Sequence, residues 1–137
     1  MKVLIDTNVL IDFILMREPY ASNAEKILLQ CKNQTITGCV AAHSIMNIFY
    51  ILRKEYTQQE RRLILLNLCQ ILTVIGINKD NIENVLKNEE FTDMEDCLQM
   101  ECAINFDAEY IITRNIKDFK ESYIPAIEPQ EFIKFCE

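Results

Sequence analysis

Glycine and proline are scarce, at two and three residues in 137. A turn-rich all-β fold and disordered linkers both need more, so both are excluded. Histidine occurs once, as His43. That excludes a histidine-rich zinc site, and the neighbouring Ser44 lacks the nucleophile-elbow motif that a hydrolytic triad would need. No CxxC pair joins Cys31, Cys39, Cys69, Cys97, Cys102 and Cys136. Scattered in this way, they are expected to be buried small hydrophobes in a reducing compartment. A membrane span is missing as well. The most apolar stretch, Leu63 to Ile77, is interrupted by Asn67, Gln70 and Thr73. The chain opens on a structural segment at Val3 that meets Asp6 at once, which is not a secretory leader. A cytoplasmic protein is expected.

Basic residues are outnumbered, with 14 Lys and Arg against 21 Asp and Glu, for a formal charge of −7. This speaks against a general nucleic-acid coat protein, whose phosphate binding rests on basic residues. It leaves room for a nuclease, because a divalent cation reverses the sign of an acidic site.

Half of the residues are hydrophobic, and the length fits one domain over residues 1–137 with a single core. Lys2 to Asp6 reads as a strand, followed by a short helix from about Val9 to Leu15. A helix is expected over Tyr20 to Lys32, a strand over Thr35 to Val40, and a helix over Ala42 to Glu55. Thr57 with Glu60 forms a capping box for a helix carrying Leu63, Leu66 and Ile71. Thr73 to Ile77 reads as a strand, and Ile82 to Asn88 and Met94 to Asn105 as helices, with Asp93 at the N-cap of the second. Strands over Glu109 to Thr113 and Ile124 to Ile127 precede a last helix opened by Pro129. This alternation predicts a three-layer α/β/α fold around a parallel sheet of four or five strands. Ligands gather at the carboxyl ends of such strands.

Acidic residues from three distant segments reach that edge. Asp6 ends the first strand, although a helix cap explains it equally well when it is taken alone. Asp93 and Asp96 are three apart and share a helix face, while Glu95 is expected to point elsewhere into solvent. Asn115 and Asp118 follow the fourth strand, where turn chemistry alone would favour them. Together they form a set. Two bare carboxylates about 4 Å apart repel by about 4 kcal/mol at an effective dielectric near 20, so such a cluster needs a cation or raised pKa values. Hard oxygen donors without His or Cys suit Mg²⁺ or Mn²⁺, which can activate water at a phosphodiester.

Three stretches, Val3-Leu-Ile-Asp-Thr-Asn-Val-Leu-Ile-Asp12, Ser44 to Lys54, and Asp93 to Gln99 with Tyr110 to Phe119, together resemble the PIN-domain family, including VapC-type toxin ribonucleases. The resemblance implies a metal-dependent endoribonuclease with Mg²⁺ or Mn²⁺ in an acidic pocket. Asp6, Asp96, Asp93 and Asp118 would be its metal ligands, with Asn115 beside them in catalysis. Asn8, Asn47 and Thr113 would support the pocket. RNA is the implied substrate and a small antitoxin protein the implied partner. A homodimer is also expected, with apolar residues such as Ile14 and Leu15 serving a dimer, an inhibitor or the core. Arg53, Lys54, Arg114 and Lys117 flank the motifs and are the candidate RNA contacts, Arg114 foremost.

Two departures stand out. Asn115 stands where many members carry aspartate. The family also usually carries Glu or Asp on the helix after the second strand, and this chain has Asn47. Glu55 is a poor substitute, eight residues on and about 12 Å along the helix. The alternative reading is therefore a catalytically weakened PIN-like module that binds RNA or protein. A phosphotransferase or receiver-like domain also places an acid after its first strand. Here, however, Asn8 stands where a second acid would be wanted, and Lys117 fits a receiver lysine poorly.

Overall fold

The computed structural model describes residues 1–136. Five parallel strands form one sheet: β1 (Lys2–Ile5), β2 (Thr37–Ala41), β3 (Thr73–Ile75), β4 (Tyr110–Ile112) and β5 (Ala126–Ile127), in the order β3-β2-β1-β4-β5. Side chains alternate across β1. Val3 and Ile5 join one buried cluster and Leu4 the other, as the two-residue period of a strand requires.

Helices cover both faces. The helices α1 (Thr7–Ile14), α2 (Ala21–Lys32), α3 (Ala42–Ile51), α4 (Gln58–Ile71) and α7 (Pro129–Cys136) contribute to the Val3 side. The helices α5 (Lys79–Lys87) and α6 (Met94–Asn105) contribute to the Leu4 side. This is the expected three-layer architecture. Gly38 sits mid-strand in β2, where a Cβ would come within 2.6 Å of Cys31 Sγ, so the close approach of α2 to the sheet explains the glycine.

Several boundaries differ from expectation. The helix expected to Glu55 stops at Ile51 and passes into a 3₁₀ turn over Leu52–Lys54. On α4 the buried residues are Leu65 and Leu68, whereas Leu63 and Leu66 are exposed. The α5 helix starts earlier than Ile82, because Asn78 and Asn81 form a reciprocal capping box. Ile14 is buried and Leu15 is partly buried against the same core, which favours the core among the roles expected for them. Of the six cysteines, Cys69 and Cys136 are exposed. Among the described residues no helix is long and apolar enough to cross a membrane.

The chain winds outward from β1 to β3, then returns across the sheet to β4 and β5. The direction reverses between β1 and β4, which makes their carboxyl ends the natural ligand edge.

Candidate active site

Asp6 and Thr113 stand side by side at that edge, since β1 and β4 are hydrogen-bonded neighbours and Asp6 N donates to Ile112 O. Asp6 occupies the N-cap position of α1, yet its side chain makes no capping hydrogen bond. Its carboxylate instead accepts from Thr113 Oγ1 at 2.8 Å and from Gln99 Nε2 at 2.7 Å. The capping explanation of Asp6 therefore fails. Gln99 also reaches Thr7 Oγ1, which donates on to the buried Ser44 Oγ. That commits Ser44 to a structural network. Neither nitrogen of His43 has a partner, so the two do not form a serine–histidine pair.

The α6 helix brings the other acids. Asp93 is its N-cap, accepting from Glu95 N and Asp96 N through Oδ1. Asp96 follows on the first turn. It lines a cleft of about 320 Å³ together with Asp6, Asn8, Asn47, Asp93, Asn115 and Asp118. Thus the acidic and amide residues from the three segments converge. Asp118 comes from a 3₁₀ turn, Ile116–Phe119, after β4. Asn115 is held there by its N–H donating to Thr113 Oγ1.

Four further residues line the cleft and were not foreseen as members of it: Thr7, Ile51 and, bearing on its chemistry, Glu95 and Gln99. Glu95 is exposed, as expected, but it does not point away from the other acids. Its Oε1 accepts from Asn47 Nδ2 at 2.9 Å. Gln99 lies one turn beyond Asp96 and four residues beyond Glu95, and that spacing was the available signal for both.

The cleft is strongly acidic. None of Asp6, Asp93, Glu95, Asp96 and Asp118 forms a salt bridge among the described residues. Burial, followed by the charges of Asp93, Asp6, Asp118 and Glu95, pushes Asp96 up to about 7. Burial also raises Asp6, opposed by the Thr113 hydrogen bond and reinforced by Glu95 and Asp118. Each proton held on these carboxylates relieves the repulsion that a cation would otherwise relieve.

Among the described residues, no three His, Cys, Asp or Glu side chains converge tightly enough for a ready-made metal cage. Mg²⁺ does not require one. It is commonly held by one or two carboxylates and keeps several waters. An open cleft with hard oxygen donors and no imidazole or thiol fits that mode.

The basic candidates are dispersed. Lys117 lines a small adjoining cleft with Lys120 and Phe91, which shares Asp93, Asp96 and Asp118 with the main one. Arg53 donates to Tyr50 O and stacks on the Tyr50 ring, and Lys54 lies on the 3₁₀ turn after α3. Arg114, the foremost RNA candidate, turns away from the acids. Its guanidinium donates twice to the buried Asp12, at 2.6 and 3.1 Å, and stacks on Tyr20. A buried carboxylate on α1 has claimed it.

Residues 2–117 match the PIN domain. The chain belongs to the PIN-domain family. Solved structures with this PIN fold include VapBC2 from Rickettsia felis bound to a DNA fragment from its promoter. It is 20% identical, covers 93% of this chain and 98% of that one, and has a TM-score of 0.69. A toxin–antitoxin complex from Klebsiella pneumoniae is 26% identical over 93% of this PIN domain and 97% of that chain, with a TM-score of 0.68. VapBC-1 from nontypeable Haemophilus influenzae is 15% identical over 95% and 99% of the two chains, also with a TM-score of 0.68. Comparison with curated proteins finds no significant match.

Proposed function

We propose that this PIN domain is an Mg²⁺- or Mn²⁺-dependent endoribonuclease of the cytoplasm, acting as the toxin of a toxin–antitoxin pair. The observation that carries this reading is the meeting of Asp6, Asp96 and Asp118 in one cleft with no salt bridge to any of them among the described residues. The toxin–antitoxin context of the similar structures supports the biological role.

Asp6, Asp96 and Asp118 would hold the ion, directly or through its waters, with Asp93 adjoining. Once bound, it supplies activation of water and charge stabilisation at the phosphodiester. The protein's own groups do the positioning. Thr113 and Gln99 fix the Asp6 carboxylate, so its oxygens face the cleft in one orientation. Asn115, tied to Thr113, presents an amide that orients water or substrate, and Asn8 adds a second. Lys117 and Lys120, which line the adjoining cleft with Asp118, would meet the RNA backbone. Exposed apolar side chains, Met46 and Tyr50 on α3 and Leu63 and Leu66 on α4, are available to an antitoxin or to a second copy in a homodimer.

Cleavage of structured RNA by the natural chain and by Asp96→Asn, with and without Mn²⁺, tests the reading. Cleavage that needs both Mn²⁺ and Asp96 is expected. Absence of cleavage with either metal, or cleavage that survives Asp6→Ala, overturns it.

Asn47 favours a second reading, a weakened module that binds RNA or protein without cutting. That reading expects Asn47→Asp or Asn47→Glu to create cleavage from an undetectable baseline.

A further inference from the structure

We infer that Glu95 supplies, from α6, the carboxylate that α3 lacks, and that Asn47 is the positioning residue that holds it over the cleft.

The argument starts from direction. The Asn47 amide could offer the cleft its oxygen, but it spends its nitrogen on Glu95 Oε1 at 2.9 Å. The bond joins residues 48 apart in sequence and ties the second turn of α3 to the first turn of α6. Only a donor at position 47 can make it. A carboxylate there would face Glu95 as a like charge with no proton to share. The two residues are therefore a matched pair: an amide on one helix is the condition for an extra acid on the other. Glu95 is an exposed residue, and an exposed glutamate on a helix gains little from an ordinary surface hydrogen bond. This one restrains it toward Asp6 and Asp96 rather than toward bulk water.

Gln99, 1% exposed and one turn beyond Glu95 on the same helix, supports the arrangement from below: its Nε2 donates to Asp6 Oδ1 and Thr7 Oγ1, so α6 fixes the β1 acid while Asn47 fixes the α6 one. With Glu95 counted, the cleft regains from α6 the one carboxylate that is missing from α3.

This inference rests on the metal-dependent reading above, and the experiment separates the two. Mn²⁺ is titrated by calorimetry into the full chain and into Glu95→Gln, Asn47→Ala, Asn47→Asp, Asp96→Asn and the exchange variant Asn47→Glu with Glu95→Gln, each checked for folding by circular dichroism. Glu95→Gln is expected to weaken Mn²⁺ binding by roughly 10- to 100-fold, the range for groups that orient or supplement metal ligands. Asn47→Ala weakens it less, and Asn47→Asp weakens rather than strengthens it. The exchange variant, with the carboxylate on α3 and the amide on α6, regains most of the affinity. Loss of binding in Asp96→Asn together with natural affinity in Glu95→Gln overturns the role of Glu95 and leaves the metal site standing. A gain of affinity in Asn47→Asp overturns the pairing. No Mn²⁺ binding by the natural chain overturns both readings.

Discussion

Thr113 Oγ1 donates to Asp6 Oδ2 at 2.8 Å, joining residues 107 apart in sequence at the seam between β1 and β4. The same hydroxyl oxygen accepts from Asn115 N. One fully buried side chain thus orients an acid of the site and anchors the loop carrying Asn115 and Asp118. Thr113→Val keeps the shape and removes both bonds. Unpaired buried groups cost about 1–3 kcal/mol, so chemical denaturation should show a loss of about 2 kcal/mol. Asp6, deprived of a bond that lowers its pKa, should also bind Mn²⁺ roughly tenfold less well. Natural Mn²⁺ affinity in Thr113→Val would show that Asp6 needs no such support.

The crowding of carboxylates gives the metal-free protein a defined pH dependence. Asp96 is raised from an ordinary 3.8 to about 7 in the folded chain. Between those values the folded state holds a proton that the unfolded state has released. The contribution of Asp96 to stability is therefore greatest below about 4 and falls as pH rises to about 7. Asp6 is raised and acts in the same direction. His43 opposes them: burial lowers its pKa, so its contribution improves as pH rises toward 6.5. Comparing melting temperatures of the natural chain and Asp96→Asn from pH 4 to 8 cancels His43. The natural chain should lose several degrees more, and saturating Mn²⁺ should reverse the loss above pH 7. Equal slopes for the two proteins would contradict the assignment.

Arg114 is tied to the buried Asp12 by two hydrogen bonds, which gives it a structural role. Asp12 has a side-chain exposure of 1%, and its other cationic neighbour, Arg17, lies 3.8 Å away. Removing one partner of a buried pair typically costs 3–5 kcal/mol. Arg114→Met should lie near the low end, about 3 kcal/mol, because Arg17 remains. The double variant Asp12→Asn with Arg114→Met should recover part of that loss. RNA affinity per folded molecule should stay unchanged, and a specific drop in RNA binding without a stability change would return Arg114 to the nucleic-acid surface.

The layered α/β fold was legible because apolar runs and caps are local signals. Val3 to Ile5, the Thr57 box and the Asp93 cap all report on neighbours within four residues. The carboxyl-edge rule then placed Asp6, Asp96 and Asp118 together without coordinates. What escaped were pairings between distant side chains. Nothing near Arg114 announces that Asp12, 102 residues earlier, is buried and needs a cation. Glu95 reads as a solvated helix charge until Asn47 is seen across the cleft. Gln99 sits in an otherwise buried stretch of α6, where an amide signals little until the carboxylate it holds is known.

If the domain takes RNA as proposed and Arg114 is occupied by Asp12, Lys117 and Lys120 are the cations bordering the acidic cleft through its smaller neighbour. Both are exposed, and no salt bridge within the described residues claims either of them. On a chain of formal charge −7, two free lysines beside the acids matter disproportionately, since the rest of the field repels phosphate. Binding is best measured in the Asp96→Asn background, so that RNA survives the titration. Neutralising both, as Lys117→Gln with Lys120→Gln, should weaken a single-stranded oligonucleotide uniformly across sequences. Removing one lysine–phosphate pairing should lower the slope of log K against log salt by about 0.7, so neutralising both lysines should remove about 1.4. A slope that stays the same would mean that RNA crosses the protein by a route that avoids the Asp118 side of the cleft.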